Sequence, residues 1–553
     1  MRKSERRGLA VTARTRTDYL LIVGFCAFLF FYGLSQFGLI GADEPRYAQV
    51  AREMSDRHDW ITPTLAGKPW LEKPPLYYWQ TVIAYRLFGV SDTSARLCSA
   101  LDATLMVIAA YLFLRRFRRG FELDGALMTA SCAGVIGYAR AASMDMPLAA
   151  TFTIAMLGWW AWRENGKRIY LAVFWTFMAL GMLAKGPIAP VLAVGVIVLY
   201  AIAARDGRLI PRTLWIPGIL LFCLVVLPWY VAVQLRNPEF FRVFVLEHNL
   251  ARFSTDLYHH KQPFWYYIPV TLLGLVPWVV FVLAALVETA RAWGTERKGF
   301  PRAALAQHTL DIFLSIWLLV PVVFFSVSQS KLPGYILPGL PAGTLLLSDY
   351  VRRRLTDDKR APLWLIVAHA LVAASPIVPA LMLPHLFLRH RIAGGQAAVV
   401  TFCVALALAA GIAATLASRF GLRMLRFVTL VPVVLVVAAV LKVGAATHAL
   451  DTTLSARPLA QELSHMETKP LPLVVLGVPR ETEYGLTFYR NQPIGRYEWG
   501  QVPSGEHLLV AMENSTSEIA KYAPGRRISY LGNFPPQHLD YYWISAPGMG
   551  HQR

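Results

Sequence analysis

The chain has 553 residues, of which 56% are hydrophobic and only 16% are charged, and its mean hydropathy is +0.43. An average soluble domain carries about 25% charged residues, so this composition excludes an ordinary soluble protein and indicates a polytopic membrane protein. The net charge of +20 would suit a nucleic-acid-binding protein if the chain were soluble. Its basic residues cluster between apolar runs instead, which favours cytoplasmic loops beside anionic lipid headgroups and argues against nucleic acid as a partner.

About thirteen apolar runs are predicted to be transmembrane helices. They cover 18–38, 94–114, 122–139, 146–162, 168–184, 187–204, 213–234, 265–290, 308–327, 335–351, 362–384, 395–417 and 425–446. With the N-terminus in the cytoplasm, the inside loops are basic, as in "RRFRRG", whereas the outside loops are longer or of mixed charge. No small-residue cleavage site follows the first run, so we predict a retained helix rather than a signal peptide. An odd number of spans places the C-terminus outside.

Short strand-like runs separated by turn residues follow the last apolar run. They cover 471–477, 485–490, 507–512 and 526–532. We therefore predict two domains, a transmembrane domain over 1–446 and a small α/β soluble domain outside the membrane over 447–553. The second domain contains no recognisable catalytic motif.

The first external loop is rich in ionisable and aromatic residues. It begins with "GADEPRYAQVAREM", where carboxylates and a proline predict the start of a helix, and it continues to "LEKPPLYYWQ". Tryptophan and tyrosine favour the depth of the headgroups, so we expect this loop to lie along the membrane interface. We expect Asp43, Glu44 and Arg46 to face the external water, with Glu72 and Lys73 folding back towards them.

Further ionisable residues stand at the ends of later spans on the same predicted side. Asp145 opens one span, Lys185 closes another, and Lys331 and Tyr335 lie in "SQSKLPGYILP". Simpler explanations exist for each residue alone: Asp145 could only cap its helix, and Lys185 could only extend its charge to the interface. Likewise, His248 alone is typical of a surface loop.

Considered together, these residues favour a functional site. Carboxylates and cations gather on one side of the membrane in a chain otherwise sparing with charge, and charges near a bilayer usually mark function. Lysine and arginine would hold phosphate oxygens by charge-assisted hydrogen bonds, aromatic rings would flank a sugar, and carboxylates would orient a sugar or an amine. The pattern predicts a substrate with a phosphate group and a lipid tail.

Several separated motifs resemble the bacterial lipid A aminoarabinose transferases. They are "GADEPRYA", "GKPWLEKPPLYYW", "MLAKGP", "EHNLARF…HHKQPFWYYIP" and "SKLPGYILP". The resemblance extends over roughly the first 350 residues, and the last third is similar in layout only. It implies the C-type membrane glycosyltransferase (GT-C) fold, with interfacial helices in the first external loop.

The resemblance also implies a reaction and its location. The donor would be undecaprenyl phosphate carrying 4-amino-4-deoxy-L-arabinose, and the acceptor would be a phosphate of lipid A. Transfer would take place at the periplasmic face of the bacterial inner membrane and confer resistance to polymyxin and other cationic antimicrobial peptides. The enzyme would be an inverting pentosyltransferase, and we expect it to act as a monomer.

The motifs and charges together predict the site residues. The catalytic group is Asp43, Asp145 and Lys73. The residues that bind substrate or lipid phosphate are Arg46, Glu72, Lys185, Arg252, Lys331, Tyr335 and Tyr77. We expect that no cofactor is required, although a divalent cation (Zn, Mg or Mn) held by Glu72 and His260 is an option, because carboxylate and imidazole both bind such ions.

Two other classes of function remain open. One is a related enzyme of the same fold with another acceptor, either a protein O-mannosyltransferase or a different lipopolysaccharide sugar transferase. The other is a lipid transporter or flippase. Transporters usually hold their charged site near the bilayer midplane and often contain inverted repeats. This sequence has no evident repeat, and its charges gather at one face, which disfavours transport.

Overall fold

The computed structural model describes residues 3–251, 262–296, 302–387, 394–447 and 449–547. Up to residue 447 the fold is almost entirely helical. Its helices are α1 Lys3–Cys26, α2 Asp43–Asp56, α3 Leu76–Phe88, α4 Asp92–Phe117, α5 Glu122–Ala130, α6 Ala133–Ala139, α7 Asp145–Asn165, α8 Arg168–Lys185, α9 Ile188–Ala203, α10 Leu209–Thr213, α11 Ile216–Arg236, α12 Tyr267–Gly274, α13 Val279–Glu296, α14 Arg302–Val327, α15 Leu340–Thr356, α16 Leu363–Ala374, α17 Ile377–Phe387, α18 Gly394–Ala417 and α19 Leu425–Thr447.

The predicted apolar runs coincide with these helices, but some are broken. The run 122–139 divides into α5 and α6, the run 265–290 divides into α12 and α13, and the run 362–384 divides into α16 and α17. The two helices of the second pair are bent by 115° relative to each other. Over the described ranges, seven helices are long and apolar enough to cross a membrane, or eight if that pair counts as one span. The protein is therefore a multi-pass helical membrane protein, and the count of thirteen spans stays a prediction.

The antiparallel pair α7 and α8 lies at the centre of the helical core and positions the site. The chain reverses at Gly166, which has a left-handed φ of 73° and closes α7 by donating to the carbonyl of Trp162 at 2.7 Å. Gly158 permits close approach, since a Cβ there would lie 3.1 Å from the carbonyl oxygen of Tyr170. Because the two helices run in opposite directions, the first residue of α7 and the last of α8 are on the same side of the bundle.

The first external loop contains two helices, as predicted. Helices α2 and α3 are connected through a short hairpin of β1 Thr64–Leu65 and β2 Lys68–Pro69. One face of α2 packs on buried tyrosines of α3, and Tyr85 donates to the backbone carbonyl of Ala48 at 3.3 Å. This packing fixes the position of the N-terminus of α2.

The C-terminal region forms a five-stranded mixed sheet with helices. After α20 Ala449–Leu454, its helices are α21 Arg457–Met466, α22 Arg480–Arg490 and α23 Thr516–Tyr522, and its strands are β3 Leu473–Leu476, β4 Gly495–Arg496, β5 His507–Met512, β6 Ile528–Phe534 and β7 Leu539–Ile544. The strand order is β4-β3-β5-β7-β6, with β3 parallel to β4 and β5, and β7 antiparallel to β5 and β6. An α/β domain is present here, and the boundary at 446/447 stays a prediction.

Two details of this domain differ from the sequence prediction. Residues 485–490 form the second half of α22 rather than a strand. Acidic residues in the first turn of α22, Glu481 and Glu483, favour a helix, and its apolar face packs into the domain core. Strand β7, with the sequence "LDYYWI", was not predicted, although its aromatic and β-branched residues favour a strand.

Candidate active site

The first part of the site lies at the start of α2. Asp43 is the first residue of the helix, its side chain is 51% exposed, and its carboxylate accepts a hydrogen bond from Arg46 one turn later. The guanidinium group of Arg46 lies 5.0 Å from the ring centre of Tyr47 and 5.3 Å from that of Trp70. Carboxylates are stabilised near a helix N-terminus by the helix dipole. In this ion pair, the carboxylate of Asp43 is open to solvent and the guanidinium group of Arg46 is enclosed by aromatic rings.

Glu44, the next residue, has a different role, and the expectation that it faces water is wrong. Its side chain is buried and accepts a hydrogen bond from Arg96 Nη2 at 2.6 Å. It also accepts from the backbone N–H groups of Ile40 and Ala142, each at 2.8 Å. The same arginine donates to three backbone carbonyls within 34–38. Glu44 therefore joins the end of the first span to α4 and to the segment before α7, and it is a structural residue.

The second part of the site is an ion pair between the adjacent helices α7 and α8. Asp145, the first residue of α7, accepts a hydrogen bond from the ammonium group of Lys185, the last residue of α8. The Lys185 nitrogen also lies 4.7 Å from the ring centre of Tyr335. No side-chain cap is made at the start of α7 by its N-cap residue, Met144. The structure thus brings Asp145, Lys185 and Tyr335 into contact. A capping role alone does not explain Asp145, and extension to the interface alone does not explain Lys185.

Gly334 sets the position of the Asp145 carboxylate. A Cβ at this position would lie 2.6 Å from the carboxyl carbon, closer than real side chains approach. We expect Gly334→Ala to displace the carboxylate and to reduce activity about 10- to 100-fold, because a small misplacement of a reacting group is enough to slow catalysis. Transfer kinetics of purified, folded enzyme would measure this loss. The matched control is Gly411→Ala, where no atom lies within 4 Å of the added Cβ; equal activity of the two variants would contradict the prediction.

The loop before α3 brings Glu72 and Lys73 to the same neighbourhood. Glu72 Oε1 lies 3.6 Å from Nε2 of His248, whose side chain is only 7% exposed. The sequence alone indicates a surface position for His248, but the structure buries its side chain next to Glu72. The sequence signal for this location is its position four residues before Arg252, in a motif predicted to belong to the site. Lys73 is partly buried beside Glu72.

Electrostatics join the separate parts into one site. The hydroxyl group of Tyr47 has its pKa raised above the ordinary value, first by burial and then by the negative charges of Asp43, Glu72 and Asp145, with Arg46 acting in the opposite direction. The negative charges of all three carboxylates therefore raise the pKa of one buried hydroxyl group. Arg46 and Lys185 are paired with two of these acids, Asp43 and Asp145, and Lys73 follows the third, Glu72, in the chain.

Two of the predicted residues, Tyr77 and Lys331, are buried and donate to backbone carbonyls. Tyr77 is fully buried, and its hydroxyl donates to the backbone carbonyl of Ala95 at 2.8 Å, so it is a core residue of the α3–α4 contact rather than a residue that binds substrate. Lys331 is buried and donates to the carbonyl of Ser328. Arg252 and His260 lie outside the described residues, and their roles stay predictions.

Metal binding likewise stays a prediction. Within the described ranges of the chain, no group of three or more histidine, cysteine, aspartate or glutamate side chains is arranged to hold a metal ion. The predicted ligand pair includes His260, which is outside those ranges.

The structure also contains an apolar cavity of about 410 Å³. Its lining includes aliphatic side chains of α6 and α19, among them Ile136 and Val437, together with Glu44 and Arg140. Apolar cavities with a few polar groups at one end suit ligands with an apolar body and a polar head. The mostly aliphatic lining suits the apolar part of a lipid, and the ion pairs Asp43–Arg46 and Asp145–Lys185 are not among its lining residues.

The chain shares its fold with a solved membrane protein, and the predicted fold class, a polytopic helical membrane protein with a small C-terminal α/β domain, is confirmed. Residues 18–244 match the family described as dolichyl-phosphate-mannose-protein mannosyltransferase. The crystal structure of ArnT from Cupriavidus metallidurans bound to undecaprenyl phosphate has a TM-score of 0.75 and 23% sequence identity, covering 95% of this chain and 97% of that chain. The same protein in the apo state has a TM-score of 0.75 and covers 97% and 98% of the two chains.

The resemblance to the aminoarabinose transferases is confirmed by curated relatives. The chain is 32% identical over 349 residues to the undecaprenyl phosphate-alpha-4-amino-4-deoxy-L-arabinose arabinosyl transferase of Pseudomonas aeruginosa, a match that covers 62% of this chain and 61% of the relative. It is 35% identical over 343 residues to the protein of the same description in Aeromonas hydrophila, covering 60% of each chain. The chain therefore spans about three fifths of the length of these relatives.

Proposed function

We propose that the protein is an inverting glycosyltransferase that moves 4-amino-4-deoxy-L-arabinose from undecaprenyl phosphate to a phosphate group of lipid A. The observation that carries this proposal is the pairing of partly buried cations with carboxylates, Arg46 with Asp43 and Lys185 with Asp145, at one centre of a chain similar to such transferases. The added amine would mask negative charge on lipid A and weaken its attraction for polymyxin and other cationic peptides.

The paired charges suggest how the donor and acceptor phosphates are bound. Each cation is neutralised by a carboxylate in the structure, and a phosphate oxygen would replace or share that partner. Charge-assisted hydrogen bonds of this kind are short and strong. Arg46, Lys185 and Lys73 would then hold the negative charge that grows on the leaving phosphate, which is electrostatic stabilisation of the transition state.

The bond changes are those of one in-line displacement. An oxygen of the lipid A phosphate attacks the anomeric carbon, the bond from that carbon to the donor phosphate oxygen breaks, and the configuration inverts. Because the attacking oxygen is already anionic at neutral pH, a strong general base is not needed. Asp43 and Asp145 would position the acceptor and the sugar amine. We further propose that the cations make a metal unnecessary.

The proposed location is the inner membrane of a bacterium. The N-terminus would be cytoplasmic, with the site and the C-terminal domain in the periplasm, because the loops assigned to the inside are the basic ones. The protein would act as a monomer on two lipid substrates within the same leaflet.

A transfer assay with purified protein tests the proposal. With aminoarabinosyl undecaprenyl phosphate as donor, mass spectrometry should show lipid A heavier by one aminopentose residue, and excess EDTA should leave the rate unchanged. Lys73→Ala should slow this transfer. Because residues 18–244 match the protein mannosyltransferase family, a parallel reaction with a polyprenyl-phosphate mannose donor and a protein acceptor tests the second candidate function. Mannose transfer without lipid A modification would replace our proposal with that one.

A further inference from the structure

A third aromatic ring faces Arg46, and it comes from the C-terminal domain. The ring centre of Tyr484, on α22, lies 5.6 Å from the guanidinium carbon of Arg46. With Tyr47 and Trp70, this ring completes an aromatic cage around the arginine. A guanidinium group within about 6 Å of a ring centre is attracted by the ring face, and more strongly where water is excluded.

Specific hydrogen bonds hold α22 and its neighbours against the start of α2. Asp92, at the beginning of α4, accepts from the hydroxyl of Tyr489 at 2.6 Å and from Arg457 Nη1 at 2.8 Å. The same Tyr489 oxygen accepts from the backbone N–H of Leu39 at 2.6 Å, four residues before α2. The N–H of Gly38 donates to Asp451 at 2.8 Å. These hydrogen bonds form a specific interface between the C-terminal domain and the residues that precede α2 and α4.

A second contact lies nearly two helical turns further along α2. Arg52 Nη1 donates to the backbone carbonyl of Phe488 at 3.1 Å, so α22 is held to α2 beyond the cage as well. Two residues one turn apart on α22 thus contact α2, Tyr484 through its ring and Phe488 through its backbone carbonyl.

The caged arginine retains the capacity to bind an anion. Its Nε atom is buried and has no hydrogen-bond partner among the residues that the structure describes. Burial alone would lower the pKa of Arg46, but Tyr47, Asp43, Glu72 and Tyr484 together raise it, so the group stays charged. A charged donor with an unused N–H, held between rings, is suited to phosphate, which arginine binds through a planar fork.

We propose that the C-terminal domain completes the phosphate-binding part of the site, with Tyr484 as a positioning residue that holds Arg46 in the orientation needed to bind a lipid phosphate. This inference rests on the proposed function for the identity of the ligand. The domain would thus be a component of the enzyme, and its role would not be limited to contacts with other proteins.

Variants of the full-length protein test this role. Tyr484→Ala should weaken binding of undecaprenyl phosphate about tenfold and raise KM for the donor by a similar factor, with a smaller effect on kcat. Tyr484→Phe keeps the ring and should remain close to the wild type. The matched control is Tyr530→Ala, which removes a tyrosine that is 58% exposed on the same domain. Binding is measured by titration calorimetry with undecaprenyl phosphate in detergent micelles.

The possible outcomes separate this inference from the proposed function. If the wild type transfers the sugar and Tyr484→Ala has the same donor affinity and KM, the inference is wrong while the function stands. If the wild type transfers no aminoarabinose but Tyr484→Ala still weakens undecaprenyl phosphate binding, the function fails and the positioning role stands. Should Tyr484→Ala not fold, Tyr484→Leu, which keeps the volume but not the ring face, takes its place: wild-type binding by that variant overturns the inference.

Discussion

Replacement of Lys185 by methionine should reduce kcat/KM for sugar transfer by about 10²- to 10³-fold, the usual cost of removing one preorganised group that stabilises charge in a transition state. Lys185 contacts the Asp145 carboxylate and the face of the Tyr335 ring, and its side chain is 15% exposed. Methionine keeps much of the length and apolar volume of the lysine, so this substitution mainly removes the positive charge. Steady-state kinetics with defined donor and lipid A would measure the loss.

A second variant separates catalysis from stability. Lys185→Met alone leaves the Asp145 carboxylate, 18% exposed, without its cation, and breaking a largely buried pair is destabilising. The double variant Asp145→Asn, Lys185→Met removes both charges, and replacing a buried pair by neutral groups is often tolerated. We expect the double variant to recover the thermal stability of the wild type, measured in detergent, and to remain inactive. Recovery of activity along with stability would show that the pair is only structural.

The membrane architecture and part of the site could be predicted from the sequence. Apolar runs of span length identify the helices, because a membrane offers no water to satisfy a lipid-exposed backbone and a spanning helix must satisfy it internally. Asp145 and Lys185 stand at ends of neighbouring predicted spans, so their presence on one side followed from the topology. Their direct contact did not follow, because it depends on how closely α7 and α8 approach, which Gly158 permits.

Contacts between residues distant in sequence account for what was missed. Whether Glu44 is buried depends on Arg96, 52 positions later, and whether Tyr484 reaches the site depends on how the C-terminal domain packs. Residues 485–490 have strand-like composition, but packing of the apolar face of α22 overrides that preference. The break between α12 and α13 contains Pro277, which has no backbone N–H to donate, so apolar character alone does not reveal the break whereas the proline is a signal for it.

The adjacent acids Asp43 and Glu44 should respond in opposite ways to removal of their charge. Successive residues on a helix point about 100° apart, so Asp43 faces solvent while Glu44 points into the protein. Glu44→Gln leaves Arg96, 1% exposed, with an uncompensated charge, and we expect a loss of about 3–5 kcal/mol in the free energy of unfolding. Thermal unfolding in detergent and the yield of monodisperse protein would show this loss.

Asp43→Asn is the matched control, because the Asp43 side chain is 51% exposed, and an ion pair made by an exposed carboxylate contributes less than about 1 kcal/mol to stability. This variant should unfold at nearly the wild-type temperature and still transfer sugar about 10- to 100-fold more slowly, since it changes a group that faces the substrates. Double substitution of Glu44 by Gln and Arg96 by Met should regain part of the lost stability, because no buried charge is then left alone. A stable Glu44→Gln enzyme together with an unfolded Asp43→Asn enzyme would reverse the two roles and place the reacting carboxylate inside the protein.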